Sequence, residues 1–163
     1  RTIGEELVGA YLMVVEGCDH VLYNVRPPGG KIRGLDELDV IGLNLVKKKA
    51  YLCEVTTHLR GFRKKSYAVG TQKVRDKFDK QKRYAKDFLG DFSPRFEFWS
   101  PYVARGQLTQ LQALKGLNLI VNQEYTIRVN KLRQLAQGDL HPTNNPAFRL
   151  LQILENLRPS GDE

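Results

Sequence analysis

The chain is predicted to form an α/β domain in which helices cover both faces of a central mixed sheet. Stretches with apolar residues at helical spacing alternate along the chain with short apolar runs bounded by Gly, Pro or Lys. The order is helix, strand, hairpin, helix, strand, helix, strand and then two helices. That alternation is typical of a sheet packed between helical layers.

Composition fits one globular domain of 163 residues, 41% hydrophobic and 27% charged. We expect a core over about residues 2–122 and a C-terminal helical extension over about residues 123–157. No apolar run approaches the roughly 18 residues of a membrane span, and the first residues do not form a signal peptide. The two cysteines make no disulfide framework and favour a reducing, cytoplasmic setting. A net charge of +8 favours polyanionic partners.

Residues 2–16 are predicted to be an amphipathic helix that ends at Gly17. Thr2 is expected to cap it, with Glu5 three residues later completing a capping box. Glu6 flanks the apolar face and is expected to reach toward the neighbouring sheet. Glu5 is expected to point into solvent.

The next elements are a strand at residues 20–25, a Pro- and Gly-rich break, and a β-hairpin at residues 37–57 whose turn contains three lysines. Each hairpin strand carries one acid in an apolar run, Asp39 in the first and Glu54 in the second. An acid there is costly to bury unless it is paired or holds a metal. The two acids are predicted to converge on one divalent cation that acts on nucleic acid. The alternative is that they pair with nearby lysines at the hairpin edge.

A basic segment follows the hairpin and continues into a long helix that begins at residue 70 or 71 and ends near residue 89. Its basic residues are Arg60, Arg63, Lys64, Lys65, Lys73, Arg75, Lys77, Lys80, Lys82, Arg83 and Lys86. The segment is either a solvated surface or a surface that contacts phosphates. The excess of Lys and Arg over acids favours phosphate contact.

The rest of the chain is predicted to contain strands at residues 94–102 and 117–122 and helices at residues 107–115, 125–136 and 146–157. The last helix, with Pro146 in its first turn, is strongly apolar. It either completes the core or forms a dimer or partner surface.

Four short motifs in order resemble the restriction-endonuclease-like PD-(D/E)xK nuclease superfamily, and within it the Holliday-junction-resolvase-like and YraN-type proteins. They are Glu6 with Gly17, Asn24–Val25–Arg26, Glu37–Leu38–Asp39, and Glu54–Val55–Thr56. The resemblance covers about residues 6–89 and implies an αβββαβ core with extra C-terminal helices. It implies a metal-dependent DNA endonuclease that hydrolyses phosphodiester bonds.

The resemblance also implies site residues. Mg²⁺ or Mn²⁺ would be held by Glu6, Asp39, Glu54 and the backbone carbonyl of Val55. Apart from the resemblance, the basic charge after the hairpin predicts that Arg60, Arg63, Lys64, Lys65 and Lys77 contact phosphates of the nucleic acid.

The chain departs from the family motif at Thr56, where a lysine is usual. In one interpretation a lysine of the following helix replaces it, with Lys73 the first choice and Lys77 the second. In another, the site is degenerate and the domain only binds nucleic acid. A third is a protein-interaction module that uses the last helix. A homodimer is compatible with each of these.

Overall fold

The computed structural model describes residues 1–29, 36–58 and 67–161, and it confirms the α/β class. Its strands are β1 (His20–Val25), β2 (Leu38–Asn44), β3 (Lys49–Val55), β4 (Ser93–Ser100) and β5 (Leu117–Val121). Its helices are α1 (Ile3–Val14), α2 (Tyr67–Phe88), α3 (Arg105–Gln112), α4 (Gln123–Ala136) and α5 (Pro146–Glu155). The predicted hairpin is β2 and β3.

The strands lie in the sheet in chain order, β1-β2-β3-β4-β5. β1, β2 and β3 pair antiparallel, whereas β4 is parallel to β3 and β5 is parallel to β4. Parallel neighbours need a crossover connection, since a tight turn cannot return the chain to the same end. The basic helix α2 is part of the connection from β3 to β4, and α3 lies in the next one.

The two faces of the sheet are covered by different helices. Side chains alternate along a strand, so Val40 and Cys53 face one side and Ile41 and Leu52 face the other. Val40 and Cys53 pack in a core with α1, α4 and Phe148 of α5. Ile41 and Leu52 pack in a separate cluster against α2. We call these the α1 face and the α2 face.

A fully buried carboxylate, Glu97 of β4, lies on the α1 face. Arg95 Nε and Arg128 Nη1 contact its Oε2 at 2.9 and 3.1 Å. Trp99 Nε1 donates to its Oε1 at 3.2 Å, and the thiol of Cys53 lies 3.4 Å from the same oxygen. Arg128 also lies over the ring of Trp99. This charge is therefore satisfied from several directions.

The C-terminal helices α4 and α5 pack in the core of the α1 face. Asn145 caps α5 by accepting from Phe148 N at 2.9 Å, and its amide donates to the carbonyl of Glu6 in α1 at 2.8 Å. On α5 and just after its end, four apolar residues are about half exposed or more, namely Leu150, Ile153, Leu154 and Leu157. Among the described helices none combines the length and apolarity that crossing a membrane requires.

α2 begins at Tyr67, earlier than the predicted start at residue 70 or 71. The additional turn is held by α3, since the side-chain amide of Gln107 donates to the carbonyl of Tyr67 at 3.1 Å. This contact joins the first turn of α2 to a residue 40 positions further along the chain.

Candidate metal site at the end of the hairpin

The register of the hairpin brings Asp39 and Glu54 together. Val40 pairs with Cys53, and one further step along the same register places Asp39 opposite Glu54. Both side chains lie on the α2 face, because they alternate with Val40 and Cys53. They are only 15% and 18% exposed. The predicted convergence of the two acids is therefore present in the geometry.

Lys77 of α2 reaches both acids. Its Nζ lies 3.6 Å from Glu54 Oε1 and 4.0 Å from Asp39 Oδ1, and it donates to the carbonyl of Glu37 at 3.1 Å. One turn later, Gln81 anchors α2 to the sheet by donating to the carbonyl of Leu52 at 3.0 Å. The ammonium that meets the acidic pair therefore belongs to the second-choice lysine, Lys77.

Lys73 lies one turn before Lys77 on the same side of α2, where it lines an adjoining cavity. The structure places it beside the candidate site, and the ion pairs with the two acids are made by Lys77. A catalytic role for Lys73 stays a prediction.

The acidic pair has an excess of negative charge. Burial raises the pKa of Asp39, although the N–H of Val55, which donates to its Oδ2 at 2.9 Å, and the charge of Lys77 oppose that shift. Burial and then the neighbouring charge of Asp39 raise the pKa of Glu54 to about 8, again against Lys77. Two carboxylates facing one ammonium favour binding a further positive charge, either a proton or a metal ion.

The donor set fits a hard divalent cation in outline. Mg²⁺ prefers oxygen ligands and is usually held by one or two carboxylates together with water and phosphate oxygens. Asp39 and Glu54 supply the two carboxylates, and Val55, next along β3, carries the predicted carbonyl ligand. Within residues 1–29, 36–58 and 67–161, no group of three or more His, Cys, Asp or Glu side chains is arranged to hold a metal. Water and phosphate would have to complete the coordination.

Glu6, the predicted third ligand, is buried but is engaged elsewhere. Arg1 Nε lies 2.8 Å from its Oε1, and the amide of Asn145 lies 3.4 Å from its Oε2. These contacts tie Glu6 to the start of the chain and to the cap of α5. As a metal ligand it stays a prediction, without a supporting contact in the described part of the chain.

Glu5 was expected to be solvated, and that expectation is wrong, since this residue is only 8% exposed. Its Oε2 accepts from the backbone of Thr2 at 3.0 Å, which completes the predicted capping box, and lies 3.4 Å from the amide of Asn24. Its charge contributes to the raised pKa of Asp39. α1 lies so close to the end of β3 that a Cβ on Gly4 would lie 3.3 Å from the side chain of Val55.

Glu5 is therefore a functional candidate that the spacing of apolar residues along α1 did not predict. The capping box was the available signal, because it turns the Glu5 carboxylate back toward the first residues of the helix. Because α1 starts near the end of β3, this carboxylate lies close to that end of the strand.

A cavity of about 370 Å³ adjoins the acidic pair, between the end of β3 and the first half of α2. Its wall contains Glu54, Thr56, Gly70, Lys73, Val74, Asp76, Lys77, Lys80 and Phe98. Thr56, the residue at the usual lysine position, faces this space. The predicted phosphate contacts Arg60, Arg63, Lys64 and Lys65 lie outside the described residues.

Comparisons of the chain with protein-family profiles, with curated proteins and with solved structures found no significant match.

Proposed function

We propose that this chain is a metal-dependent nuclease domain with a restriction-endonuclease-like core, which hydrolyses phosphodiester bonds of nucleic acid. The observation that carries the proposal is the pair of largely buried carboxylates, Asp39 and Glu54, which face each other across the hairpin with the ammonium of Lys77 within 4.0 Å of both. The order α1-β1-β2-β3-α2-β4 agrees with the αβββαβ core that the sequence motifs resemble.

Asp39 and Glu54 would hold Mg²⁺ or Mn²⁺, with the carbonyl of Val55 beside them. When bound, the metal would supply an activated water and stabilise negative charge on the phosphate. The family motif has a lysine at the position of Thr56, and Lys77 would take its place. The ammonium of Lys77 already lies within 4.0 Å of both acids. It can position a water or offset charge on a phosphate oxygen.

DNA is proposed rather than RNA only because of the resemblance. The net charge of +8 favours binding of either polyanion. Arg60, Arg63, Lys64 and Lys65 are proposed to contact phosphates, which position a substrate without reading its sequence. The buried, unpaired cysteines Cys18 and Cys53 are compatible with a cytoplasmic location. A homodimer is also proposed, because two copies of the site could cut the two strands of a duplex.

Metal binding can be tested by titrating Mn²⁺ into the protein in a calorimeter. Wild type is expected to bind, and Asp39→Asn is expected to lose binding because one of two carboxylate ligands is removed. The control is Asp91→Asn, which removes the same charge from an exposed residue in the connection after α2. Equal binding by wild type and Asp39→Asn would rule out this site.

Cleavage can be tested on duplex, branched and single-stranded DNA with Mg²⁺ or Mn²⁺. Loss of a residue that only orients a ligand costs about 10–100-fold, so loss of a ligand in Asp39→Asn should exceed about 100-fold. Folding, followed by circular dichroism, should be unchanged, because asparagine can still accept from Val55 N. A wild-type protein that cuts none of these substrates would refute the nuclease proposal.

The two lysines can be separated with Lys77→Met and Lys73→Met. The ion pairs of Lys77 predict that its loss reduces cleavage far more than the loss of Lys73. The reverse order would restore Lys73 as the substitute for the missing lysine.

A second candidate is a nucleic-acid-binding module without catalysis, favoured by Thr56 and by the ammonium of Lys77, which already partly neutralises the acids. It predicts binding that weakens with salt and does not depend on metal. Glu54→Ala would then leave binding unchanged or stronger, whereas a nuclease would lose its metal.

A further inference from the structure

We propose that the cavity beside Glu54 receives one unstacked nucleoside of the substrate, so that the site acts on nucleic acid with an unpaired nucleotide. This inference rests on the proposed function and adds the form of the substrate. It is carried by the position, the lining and the size of the cavity.

The cavity and the acidic pair share two side chains. Glu54 and Lys77 belong to the cavity wall and also to the ion-paired site. A phosphate bound at the acids therefore has its own sugar and base within reach of the cavity. The cavity thus continues the candidate site.

The lining suits a nucleoside phosphate. Val74 and Phe98 contribute apolar, largely buried side chains, against which a base or a sugar can pack. Lys73, on the same side of α2 as Lys77, contributes an ammonium group that can meet a phosphate next to that nucleoside. Lys80 also lines the cavity, with its Nζ 3.0 Å from Asp36 Oδ1, and Asp76 adds one acid to the wall. Lysines beside an apolar floor match a ligand that is charged at its edge and flat and weakly polar in its centre.

The volume of about 370 Å³ falls within the roughly 300–1,000 Å³ typical of pockets that enclose small molecules. A base inside a duplex is stacked on both faces and cannot enter such a concave space. Extruding it costs a few kcal/mol, and least where the base is already unpaired. Single strands, frayed ends and flaps are therefore the expected substrates, ahead of an intact duplex.

The first test uses a single-stranded oligonucleotide that carries one 2-aminopurine, whose fluorescence rises when the base leaves its stack. Binding is measured in EDTA, so that it is seen without cleavage. Wild type is expected to bind the oligonucleotide with a rise in fluorescence. It should bind the matching intact duplex at least about tenfold more weakly.

The matched variants are Thr56→Phe, which fills the cavity from the end of β3, and Thr126→Phe, which adds the same ring at an exposed position of α4. Thr56→Phe should weaken single-strand binding at least about tenfold and abolish the fluorescence rise, whereas Thr126→Phe should do neither. Circular dichroism and thermal unfolding check that both variants fold.

A second measurement keeps the inference testable if Thr56→Phe does not fold. 2′-Deoxyuridine 5′-monophosphate and uridine 5′-monophosphate, which differ only in the 2′-hydroxyl, are titrated into wild type, and methyl signals are followed by NMR. Shifts at Val74 with at least one mononucleotide support the cavity as the site, and the stronger binder indicates DNA or RNA.

Failure of the inference and failure of the proposed function give different results. If mononucleotides shift Val74 but no substrate is cut, the nuclease proposal fails and the cavity remains a nucleotide site. If duplex is cut as well as single strands, with no fluorescence rise and no shift at Val74, the cavity inference is overturned and the nuclease proposal stands.

Discussion

Two glutamates on neighbouring strands, one fully buried and one partly buried, meet very different surroundings. Glu97 of β4 is fully buried on the α1 face, where two arginines, an indole N–H and a thiol surround its carboxylate. Glu54 of β3, whose side chain is 18% exposed, lies on the α2 face, where it faces a second acid and one lysine. One sheet therefore holds one acid that the protein satisfies and one that it leaves short of positive charge.

The difference shows how burial can serve stability or function. The planar guanidinium of Arg128 is rigid, always charged and packed over Trp99, so the charge of Glu97 stays in place. Lys77 is a flexible point charge, and it is shared with Asp39 as well as Glu54. The Glu97 site has two arginines for one carboxylate, whereas the Asp39–Glu54 pair has one ammonium for two carboxylates.

The largest expected effect comes from breaking the satisfied site with Arg128→Met. Removing a partner from a buried ion pair costs about 3–5 kcal/mol when the remaining charge is left uncompensated. Arg95 still contacts Glu97 in this variant, so we expect a loss near the lower end of that range in the free energy of unfolding, measured with urea. The control is Arg133→Met, which removes an arginine that is 53% exposed and pairs with Glu155, and should cost less than about 1 kcal/mol. Equal losses would mean that the Glu97 site contributes no more than a surface pair.

A pH-dependent effect, smaller for each pH unit, is expected at the Asp39–Glu54 pair. The unfolded chain releases the Glu54 proton near the ordinary pKa of 4.5, whereas the folded protein holds it to about 8. The stability that this proton provides is therefore complete below pH 4.5 and is lost as the pH rises through about 8. The slope from this residue is at most about 1.4 kcal/mol per pH unit.

Glu54→Gln should remove that slope, because glutamine does not titrate. Urea unfolding of wild type and Glu54→Gln between pH 5 and pH 8, in EDTA, should give curves that separate as the pH rises, with the variant more stable. Parallel curves would show that Glu54 titrates normally and would remove the contrast with Glu97.

The smallest expected effect is a change in pKa alone. Lys77 lowers the pKa of both Asp39 and Glu54, so Lys77→Met should raise both. Carboxyl ¹³C NMR titration of the metal-free protein can follow the Glu54 signal, which is expected to titrate above its wild-type pKa of about 8. Lys73→Met is the control and should change it less. An unchanged Glu54 pKa in Lys77→Met would mean that the ion pairs do not persist in solution.

Local patterns predicted the elements well. The capping box of Thr2 and Glu5, the lysine turn of the hairpin and Pro146 in the first turn of α5 are all present. These features depend on residues a few positions apart, so the sequence displays them directly. The sequence also predicted that Asp39 and Glu54 lie close together, because a tight turn sets the register of the hairpin.

Contacts between distant elements were harder to predict. Glu97 also lies in an apolar strand, so the pattern that singled out Asp39 and Glu54 applies to it equally. What separates it from them is Arg128, 31 residues further along the chain. The choice between Lys73 and Lys77 likewise depended on how α2 packs on β3, which the spacing of residues along one helix does not reveal.

The bond between Asn145 and Glu6 joins residues 139 positions apart, and it bears on how the chain folds during synthesis. Each strand lies beside its predecessor in the sheet, so strands can pair in the order in which they leave the ribosome. The α1 face cannot be closed until α4 and α5 have been made. A nascent or truncated chain that ends before Asn145 would carry a paired sheet with an open apolar face, which makes it prone to aggregation and dependent on chaperones.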